Sequence, residues 1–496
     1  MSRAVHYPNP EEFAELAKQG NVVPVYRQLL GDTITPVSAF GPLNDSDYAF
    51  LLESASGGEK VGRYSFLGCD PFMIFSSRRD KVRITRDGHT EEKSSDDPIG
   101  ELQALVQHLK AVPVRDVPSF CCPAVGYASY DAVRYVEHLP DEPPDDMGLP
   151  DLFFMFYDLV IAFDHLNKTV KVVAAARTRD RDPKDAYAEA VARVDAAVER
   201  LGRPVAAVSD DIRPGGDPTL PFESNFKQED YMDGVRKCKE YIRAGDIFQV
   251  VLSQRLKAQV AADPFDIYRA ARVINPSPYM FYLRMGDTRM IGSSPEVMVK
   301  VENRKVTVRP IAGTRRRGDT EEDDLAMERD LVADPKERAE HVMLVDLGRN
   351  DVGRVCRYGT VTIEENMIVE RFSHVMHLTS CVSGLLLPGK TAFDAFRATF
   401  PAGTLSGAPK IRAMEILDEL EPTRRGPYGG AVGCIDYYGN MNTCITIRTM
   451  LLKDNTAYVQ AGGGIVADSV PEREYQETIN KAKAMFKALE VAEKGL

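Results

Sequence analysis

The sequence contains no tryptophan, no long apolar run and no cluster of basic residues. Without an apolar stretch of the ~20 residues that span a bilayer, it carries no signal for a transmembrane helix. The net charge of −12, from 62 basic and 74 acidic residues, has the wrong sign for binding a phosphate backbone. The sequence therefore predicts neither a nucleic-acid partner nor a membrane partner.

Cysteine usage points to a reducing compartment. The eight cysteines are scattered, none lies in CxxC spacing, and the adjacent Cys121 and Cys122 are badly placed for a mutual disulfide. Residues 1–20 lack the apolar core of a signal peptide. We therefore expect reduced thiols and a cytoplasmic location.

The length of 496 residues exceeds one ordinary domain, while 44% hydrophobic and 27% charged residues are typical of a globular protein. Residues 203–222 are rich in Pro, Gly and Asp and show no hydrophobic periodicity, as connections do. The sequence thus predicts an N-terminal region, 1–202, a linker, 203–222, and a C-terminal region, 223–496. Within the first region, residues 140–150 form an acidic, proline-rich segment expected to be an exposed loop.

The most informative segment is AGGGIVADSVPEREYQETINK, residues 461–481. A β-prone run is expected to end at Gly462–Gly464, whose backbone amides lack side-chain cover and could receive an anion. Ser469 and Glu472 form the pattern of a capping box that begins a helix. One stripe of that helix is apolar and faces a core. Its members are Tyr475, Ile479, Ala482, Phe486 and Leu489.

A second stripe on the same helix is charged and contains Glu474, Glu477 and Lys481. It is rotated from the apolar stripe by roughly 100–160°. Two carboxylates one turn apart, beside an anion pocket, could hold a divalent cation. The pattern is also typical of a solvated helix face with a Glu–Lys pair at i,i+4, and this helix alone does not separate the two interpretations.

A second carboxylate occurs far away in the sequence. Asp334 and Glu337 form another capping-box pattern, and Glu340 lies one turn further along the predicted helix, beside an apolar run. A carboxylate at the border of an apolar stretch usually has a partner. Glu340 is therefore the predicted counterpart of Glu477 in a site for a hard cation.

Two further segments could bind anions. A strand pattern over residues 442–452 includes Arg448, which needs an anion there, and a substrate carboxylate is as plausible as a structural glutamate. The segment at 403–410 is expected to open a helix whose start, at Thr404, receives an anion. It is not a P-loop, because its glycines are four residues apart and Lys410 follows neither. Together the parts predict a small substrate with more than one carboxylate, one of them bound through Mg²⁺.

Five segments resemble those of chorismate-utilising enzymes, and most of all the large subunit (component I) of anthranilate synthase. They are PIAGT at 310–314, EHVMLVDL at 340–347, GTLSGAPK at 403–410, YGGAVG at 428–433 and QAGGGIV at 460–466. The resemblance is strong over residues 226–489 and weaker before them. It implies an α+β fold of large antiparallel sheets packed as a sandwich with helices outside. It also implies Mg²⁺-dependent conversion of chorismate and ammonia to anthranilate and pyruvate.

The resemblance also implies roles for the residues at matching positions. Glu340 and Glu477 would bind Mg²⁺. The chorismate contacts would be Gly313, Thr314, Tyr428, Arg448 and the backbone of Gly462, Gly463 and Gly464. Glu296, His377 and Thr404 would lie near the reacting ring, with His377 and Glu296 carrying protons in either order. Without the resemblance, a lone histidine in a β-like run is more often a core residue.

Two positions separate this family from its relatives. Aminodeoxychorismate synthases often carry a lysine where this chain has Ala312. Isochorismate and salicylate synthases carry a lysine, suited to activating water, where this chain has Gln249. Because this chain has neither lysine, the resemblance predicts ammonia as the nucleophile and anthranilate as the product.

Partner and regulator also follow from the resemblance. The sequence has no Gly-x-Cys-x-Gly elbow for a glutaminase nucleophile, so a separate glutamine amidotransferase subunit is implied, in a hetero-oligomer. Feedback inhibition by tryptophan is implied by Ser54 together with Pro278, Tyr279 and Met280. From the residues alone, Ser54 would be a turn residue and Pro278 a loop stiffener. An inactive sensor of a chorismate-like ligand is the alternative, against which the intact carboxylates and His377 argue.

Overall fold

The computed structural model describes residues 5–43, 46–54, 62–203, 215–372 and 375–495. Its helices are α1 (Pro10–Leu16), α2 (Pro36–Phe40), α3 (Pro98–His108), α4 (Pro183–Leu201), α5 (Gln228–Ala244), α6 (Pro264–Ile274), α7 (Glu321–Ala333), α8 (Pro335–Gly353), α9 (Ala392–Thr399), α10 (Lys410–Leu420) and α11 (Pro471–Glu493). Its strands are β1 (Val22–Leu30), β2 (Tyr48–Glu53), β3 (Tyr64–Cys69), β4 (Met73–Arg78), β5 (Lys81–Arg86), β6 (His89–Ser94), β7 (Pro123–Ala128), β8 (Leu152–Phe156), β9 (Leu159–Asp164), β10 (Thr169–Arg177), β11 (Glu223–Ser224), β12 (Gln249–Gln259), β13 (Tyr279–Met285), β14 (Thr288–Ser294), β15 (Val297–Glu302), β16 (Lys305–Val308), β17 (Ile311–Arg316), β18 (Thr362–Arg371), β19 (Val375–Leu385), β20 (Gly407–Ala408), β21 (Ala431–Asp436), β22 (Met441–Ile445), β23 (Thr449–Lys453) and β24 (Thr456–Ile465).

Two 12-stranded sheets form the centre of the fold. The first has the order β1-β10-β9-β3-β2-β13-β14-β23-β24-β12-β11, with β20 beside β12. The second has the order β17-β19-β16-β15-β22-β21-β7-β8-β4-β5-β6, with β18 beside β19. Neighbouring strands pair antiparallel, for example β12 with β24 and β17 with β19. The prediction of an α+β fold with large antiparallel sheets is confirmed.

The inner faces of the two sheets pack against each other. Phe50 and Phe281 of the first sheet share one buried apolar cluster with Val125 and Met155 of the second. The rings of Phe50 and Tyr157 meet edge to face, with their centroids 4.7 Å apart. Removal of these side chains from water drives the association of the sheets, which form the predicted sandwich.

Helices cover the outside of the sandwich. Helix α4 packs on β1 and β10, and α11 packs on β24 and α6. In α11 the predicted apolar stripe is confirmed, because Ala482, Phe486 and Leu489 are fully buried and Ile479 is partly buried beside them. Among the described residues, no helix combines the length and the apolarity that crossing a bilayer requires.

Each sheet contains strands from both sides of residues 203–222. In the first sheet β2 pairs with β13, so Glu53 lies opposite Met280. In the second, β7 pairs with β21. Residues 204–214 of the predicted linker lie outside the described residues, and Phe222, at its end, stacks on Phe486 with ring centroids 5.2 Å apart. The predicted division into two regions stays a prediction, but their strands interleave.

The helix that carries Glu477 begins differently from the prediction. Helix α11 follows Val470, whose side chain makes no capping hydrogen bond. Ser469 Oγ instead accepts a hydrogen bond from the backbone amide of Val466 at 3.1 Å. The predicted capping box of Ser469 and Glu472 is therefore wrong, because Ser469 closes the turn that leaves β24.

The start of α8 is capped on one side only. The Asp334 side chain accepts hydrogen bonds from the backbone amides of Lys336 and Glu337, as predicted. The Glu337 carboxylate does not return a bond to the cap, but accepts one from Arg315 Nη1 at 3.2 Å. Asp334 alone therefore fixes the start of this helix.

The acidic loop at residues 140–150 is anchored rather than free. Asp145 is ion-paired with Arg78 of β4 at 2.7 Å, and Asp146 is ion-paired with Arg255 of β12. The Arg424 amide donates to the carbonyl of Pro144 at 3.0 Å. The prediction of an exposed loop holds for its polarity, but arginines from both sheets fasten it.

Candidate active site

The three consecutive glycines lie inside a strand. β24 runs through Gly462–Gly464 to Ile465, and the glycines pair with residues 251–253 of β12. The prediction that they end the strand is wrong, because ladder pairing continues. A Cβ would lie 2.8 Å from the Tyr428 hydroxyl at the first glycine, 3.0 Å from Glu474 Oε2 at the second and 2.6 Å from Gln249 Nε2 at the third. Glycine is needed because three polar side chains converge on this strand.

Glu340 projects from α8 toward β12. Gln249 Nε2 donates a hydrogen bond to Glu340 Oε1 at 2.9 Å, and a Cβ on Gly464 would lie 3.9 Å from the same oxygen. Burial raises the pKa of the Glu340 carboxyl, the hydrogen bond from Gln249 opposes the rise, and the charge of Glu337 adds to it. A cation would stabilise the ionised form of such a carboxyl.

Glu477 projects from α11 and is paired within its own helix. Its carboxylate is 2.7 Å from Lys481 Nζ and 49% exposed. Lys481 Nζ also donates to the carbonyl of Gly462 at 2.9 Å, which ties the helix to the glycine strand. This geometry matches the solvated Glu–Lys interpretation, and a metal-binding role for Glu477 stays a prediction.

Glu474, the other carboxylate of the charged stripe on this helix, reaches the same place, although the family resemblance implied no role for it. Its Oε2 lies beside Gly463, and burial raises the pKa of its carboxyl. The charge of Lys481 lowers the pKa of both Glu474 and Glu340, so the ammonium lies within electrostatic range of both carboxyls. The sequence signal for this role was the position of Glu474 one turn before Glu477. In the structure its carboxylate lies opposite Gly463, which has no side chain.

The carboxyl groups on α8 and α11 suit a hard divalent cation. Mg²⁺ takes oxygen ligands and is commonly held by one or two carboxylates, with the remaining positions filled by water and substrate. Within the described residues, no group of three or more His, Cys, Asp and Glu side chains is arranged to enclose a metal. The residues Glu340, Glu474 and Glu477 thus offer a partial donor set, which the oxygens of a substrate could complete.

His377 lies on β19 opposite Thr314 of β17. Its Nδ1 is 2.8 Å from the carbonyl of Gly313, which sits in a β-bulge with φ +67°, and 3.1 Å from the Thr314 hydroxyl. A carbonyl only accepts, so Nδ1 carries the proton and Nε2 carries the lone pair. Burial lowers the pKa of His377 to about 4, with smaller contributions from Arg448 and Lys481. At neutral pH the ring is therefore an uncharged base.

Glu296 is buried in the turn between β14 and β15, and its side chain is hydrogen-bonded to Thr404. The Thr404 hydroxyl donates to Glu296 Oε1 at 3.0 Å. Burial raises the pKa of Glu296 to about 8, although Thr404 opposes the rise. The carboxyl is therefore largely protonated at pH 7. Thr404 lies in a short 3₁₀ turn, Gly403–Leu405, and α10 begins only at Lys410, so the prediction of a helix start at Thr404 is wrong.

Arg448 lies between two strands rather than inside one. β22 ends at Ile445 and β23 begins at Thr449, while Arg448 has φ +50°. The strand predicted over 442–452 is thus broken at this arginine. Burial lowers the pKa of its guanidinium, against the influence of Tyr428 and Glu477. No described residue forms a hydrogen bond or ion pair with this guanidinium, so its donors are available to an anion.

The residues predicted to bind tryptophan lie at the paired ends of β2 and β13 in the first sheet. Ser54 follows the last residue of β2, and Met280 of β13 pairs with that residue, Glu53. The Ser54 hydroxyl is buried and lacks a hydrogen-bond partner. It lines a cavity together with Glu53, Ser65, His165 and Arg272. Tyr279 Oη donates to Asn442 Oδ1 at 3.1 Å.

The chain is similar to known proteins along nearly its whole length. A model of the chorismate binding enzyme family matches residues 48–487. Anthranilate synthase component 1 of Acetivibrio thermocellus is 48% identical over 98% of this chain and 99% of its own length. The same component of Pseudomonas aeruginosa is 48% identical over 98% of this chain and 100% of its own. The chain belongs to the anthranilate synthase component I family of chorismate binding enzymes.

Solved structures agree with this membership. Anthranilate synthase component I from Streptococcus pneumoniae superimposes with a TM-score of 0.77 at 39% identity, covering 92% of this chain and 98% of that one. The menaquinone-specific isochorismate synthase MenF from Escherichia coli superimposes with a TM-score of 0.69 at 17% identity, covering 97% and 98%, and so shows the fold alone. The resemblance inferred from the sequence is confirmed, and the chain is an enzyme of chorismate conversion.

Proposed function

We propose that the chain converts chorismate and ammonia to anthranilate and pyruvate, with Mg²⁺ as its cofactor. The observation that carries the proposal is the unpaired Arg448 guanidinium, which lies within electrostatic range of Tyr428 and of Glu477 on α11. It pairs naturally with one substrate carboxylate. Glu340 on α8 and Glu477 on α11 would hold Mg²⁺. The bound ion would neutralise a second carboxylate of the substrate.

Proton transfer is divided between two groups with opposite protonation states. The protonated Glu296 carboxyl is suited to donate to the departing ring hydroxyl as ammonia adds. The neutral His377, with its lone pair on Nε2, is suited to remove a ring proton as pyruvate departs. We therefore assign Glu296 as the acid and His377 as the base, an order that the sequence analysis left open.

Gln249 supports ammonia as the nucleophile. Its Nε2 donates to Glu340, while its Oε1 is buried and has no hydrogen-bond partner among the described residues. A buried unpartnered acceptor is costly, and an N–H of ammonia would satisfy it. A neutral amide cannot deprotonate water as a lysine amine could, so this position favours the nucleophile that needs no base.

The proposal is tested by incubating the purified chain with chorismate, Mg²⁺ and an excess of an ammonium salt near pH 8, where free ammonia is present and Glu296 is still partly protonated. We expect fluorescent anthranilate, identified by mass analysis, with pyruvate in equal amount. Glutamine should not replace ammonium, because the chain has no glutaminase site, and an added glutamine amidotransferase subunit should confer glutamine use. Aminodeoxychorismate or salicylate as the main product would overturn the proposal, and glutamine use by the homogeneous chain would overturn the need for a partner.

We further propose that tryptophan inhibits the enzyme by binding at Ser54 and at Pro278, Tyr279 and Met280. The buried, unpartnered Ser54 hydroxyl beside a cavity supports a ligand there. β2 and β13 come from different parts of the chain, so a ligand bound to both can favour one arrangement of the sheet over another. Such coupling is typically about 1–3 kcal/mol, or roughly 5–150-fold in affinity.

Ser54→Phe is expected to relieve inhibition, because its ring would fill the space that tryptophan needs. Turnover without tryptophan should change little. Ser54→Ala is the matched control, since it removes the hydroxyl without filling the space, and should shift the inhibition curve less. The measurement is a tryptophan titration at fixed chorismate. Equal inhibition of all three proteins would exclude Ser54 from the site, and no inhibition of the unsubstituted chain would end the regulatory proposal.

A further inference from the structure

An ion pair lies buried beneath the candidate active site, between Arg425 and Glu421. The two side chains are 2% and 4% exposed. Arg425 Nε donates to Glu421 Oε2 at 2.8 Å, and Nη2 donates to Glu421 Oε1 at 2.7 Å. This bidentate geometry fixes the plane of the guanidinium.

The remaining Arg425 donors reach two other segments. Nη1 donates to the carbonyl of Leu405 at 2.6 Å, and Nη2 donates to the carbonyl of Val251 at 2.6 Å. Glu421 Oε1 in turn accepts from the amide and the hydroxyl of Ser253, at 2.8 and 2.7 Å. One ion pair thus joins the Gly403–Leu405 turn to β12.

Each joined segment carries a group assigned above. The turn carries Thr404, which donates to Glu296. β12 begins at Gln249, which donates to Glu340. The guanidinium also lies 5.7 Å from the ring centroid of Tyr428, whose hydroxyl borders Gly462. The Arg425–Glu421 ion pair therefore contacts the segments that carry Thr404, Gln249 and Tyr428.

Arg425 itself is poorly placed to bind a substrate, because its side chain is 2% exposed and four of its five N–H donors are used within the protein. Its hydrogen bonds go to Glu421, Leu405 and Val251, and the ring of Tyr130 lies 4.5 Å from the guanidinium carbon. Buried ion pairs contribute little net stability compared with apolar groups of the same volume. A buried network of well-formed hydrogen bonds is, however, effective at fixing one geometry.

We propose that Arg425 is a positioning residue for the reaction, which holds the Thr404 turn and the start of β12 in register through Glu421. This inference rests on the proposed function. Arg424 is a matched comparison, because it is equally buried and ion-paired with Asp131 at 3.0 Å and Asp151 at 2.6 Å. Asp131 and Asp151 lie in the N-terminal region and carry no assigned group, although Asp131 Oδ2 also accepts a hydrogen bond from the Gly426 amide at 2.8 Å.

The experiment compares Arg425→Met and Arg425→Lys with Arg424→Met and Arg424→Lys. In the Arg425 variants we expect kcat and kcat/KM to fall together by about 100-fold, because misplacement by about 1 Å costs this much. A lysine keeps the charge beside Glu421 but cannot reach both carbonyls, so Arg425→Lys should melt earlier, as the Arg424 variants do, and should also be slow per folded molecule. The Arg424 variants should melt earlier, with kcat per folded molecule within about 3-fold of the unsubstituted chain.

Equal losses of kcat in Arg424→Met and Arg425→Met, or full kcat in Arg425→Lys, would reduce Arg425 to a structural residue and overturn the inference. If Arg425→Met does not fold, Arg425→Lys and Glu421→Gln carry the test. Failure of the proposed function would appear separately, as an unsubstituted chain that forms no anthranilate. The same comparison would then be made on whichever chorismate product forms.

Discussion

Replacing Glu340 by Gln is expected to abolish turnover while leaving the fold intact. The change keeps the shape of the side chain but removes a charged oxygen from the proposed Mg²⁺ site. Removing a residue that hydrogen-bonds to a metal ligand typically lowers metal affinity or activity by about 10–100-fold. Removing a ligand itself should therefore lower kcat/KM by at least about 100-fold at limiting Mg²⁺. Burial raises the pKa of this carboxyl, which means that its ionised form destabilises the folded state when no cation is bound. Replacement by a neutral amide should therefore not lower the melting temperature.

Asp346→Asn is the control, since Asp346 lies exposed on the same helix and, among the described residues, pairs only with Arg349, at 2.9 Å. It should leave activity unchanged. A second readout is the rise in melting temperature on adding Mg²⁺ and chorismate, expected for the unsubstituted chain and absent in Glu340→Gln. Glu477→Gln should behave as Glu340→Gln does. Normal activity of Glu477→Gln at limiting Mg²⁺ would restore the view that Glu477 only pairs with Lys481.

The second large effect is expected at His377. Replacement by Ala removes the proposed base and should lower kcat by about 10²–10⁴-fold. The pKa values also predict the pH profile of the unsubstituted enzyme. His377 must be neutral, so activity should be lost only as pH falls toward its pKa of about 4. Glu296 must be protonated, so activity should also fall as pH rises through its pKa of about 8.

The profile is measured as kcat with free ammonia held constant at each pH, because the nucleophile itself titrates. Glu296→Gln should lower kcat and remove the alkaline limb. His108→Ala, on the exposed end of α3, should change neither rate nor profile. An acid limb near the ordinary histidine pKa of about 6.5 would contradict the buried neutral ring. Unchanged turnover of His377→Ala would remove His377 from the reaction.

Individual helices and strands were predictable because hydrophobic periodicity and composition act locally. The stripe on α11 and the strands on either side of residues 203–222 follow from hydrophobic spacing, which burial then enforces. Strand pairing was not predictable from spacing, since β2 meets β13 and β7 meets β21 across long stretches of chain. The sandwich itself therefore came from the family resemblance.

The site was predictable in its residues more than in its geometry. Gly462–Gly464 were expected to expose amides, whereas the structure shows that three side chains need the space beside them. Arg448 was expected inside a strand but lies in a break with positive φ. In both cases a long-range neighbour decides the local conformation, and no local pattern encodes that neighbour. Arg425 left no such pattern either, because its partners come together only in the folded chain.

The interleaving of the sheets also bears on how the protein is made. The first sheet contains both β1, which begins at Val22, and β24, which ends at Ile465. A ribosome must therefore release nearly the whole polypeptide before β12 gains its neighbour β24 and the middle of that sheet is complete. Until then, strands such as β12 and β14, whose partners are β24 and β23, present open backbone edges that can pair with other nascent chains. Yield in a heterologous host should thus depend on elongation rate and on chaperones that shield unpaired strands.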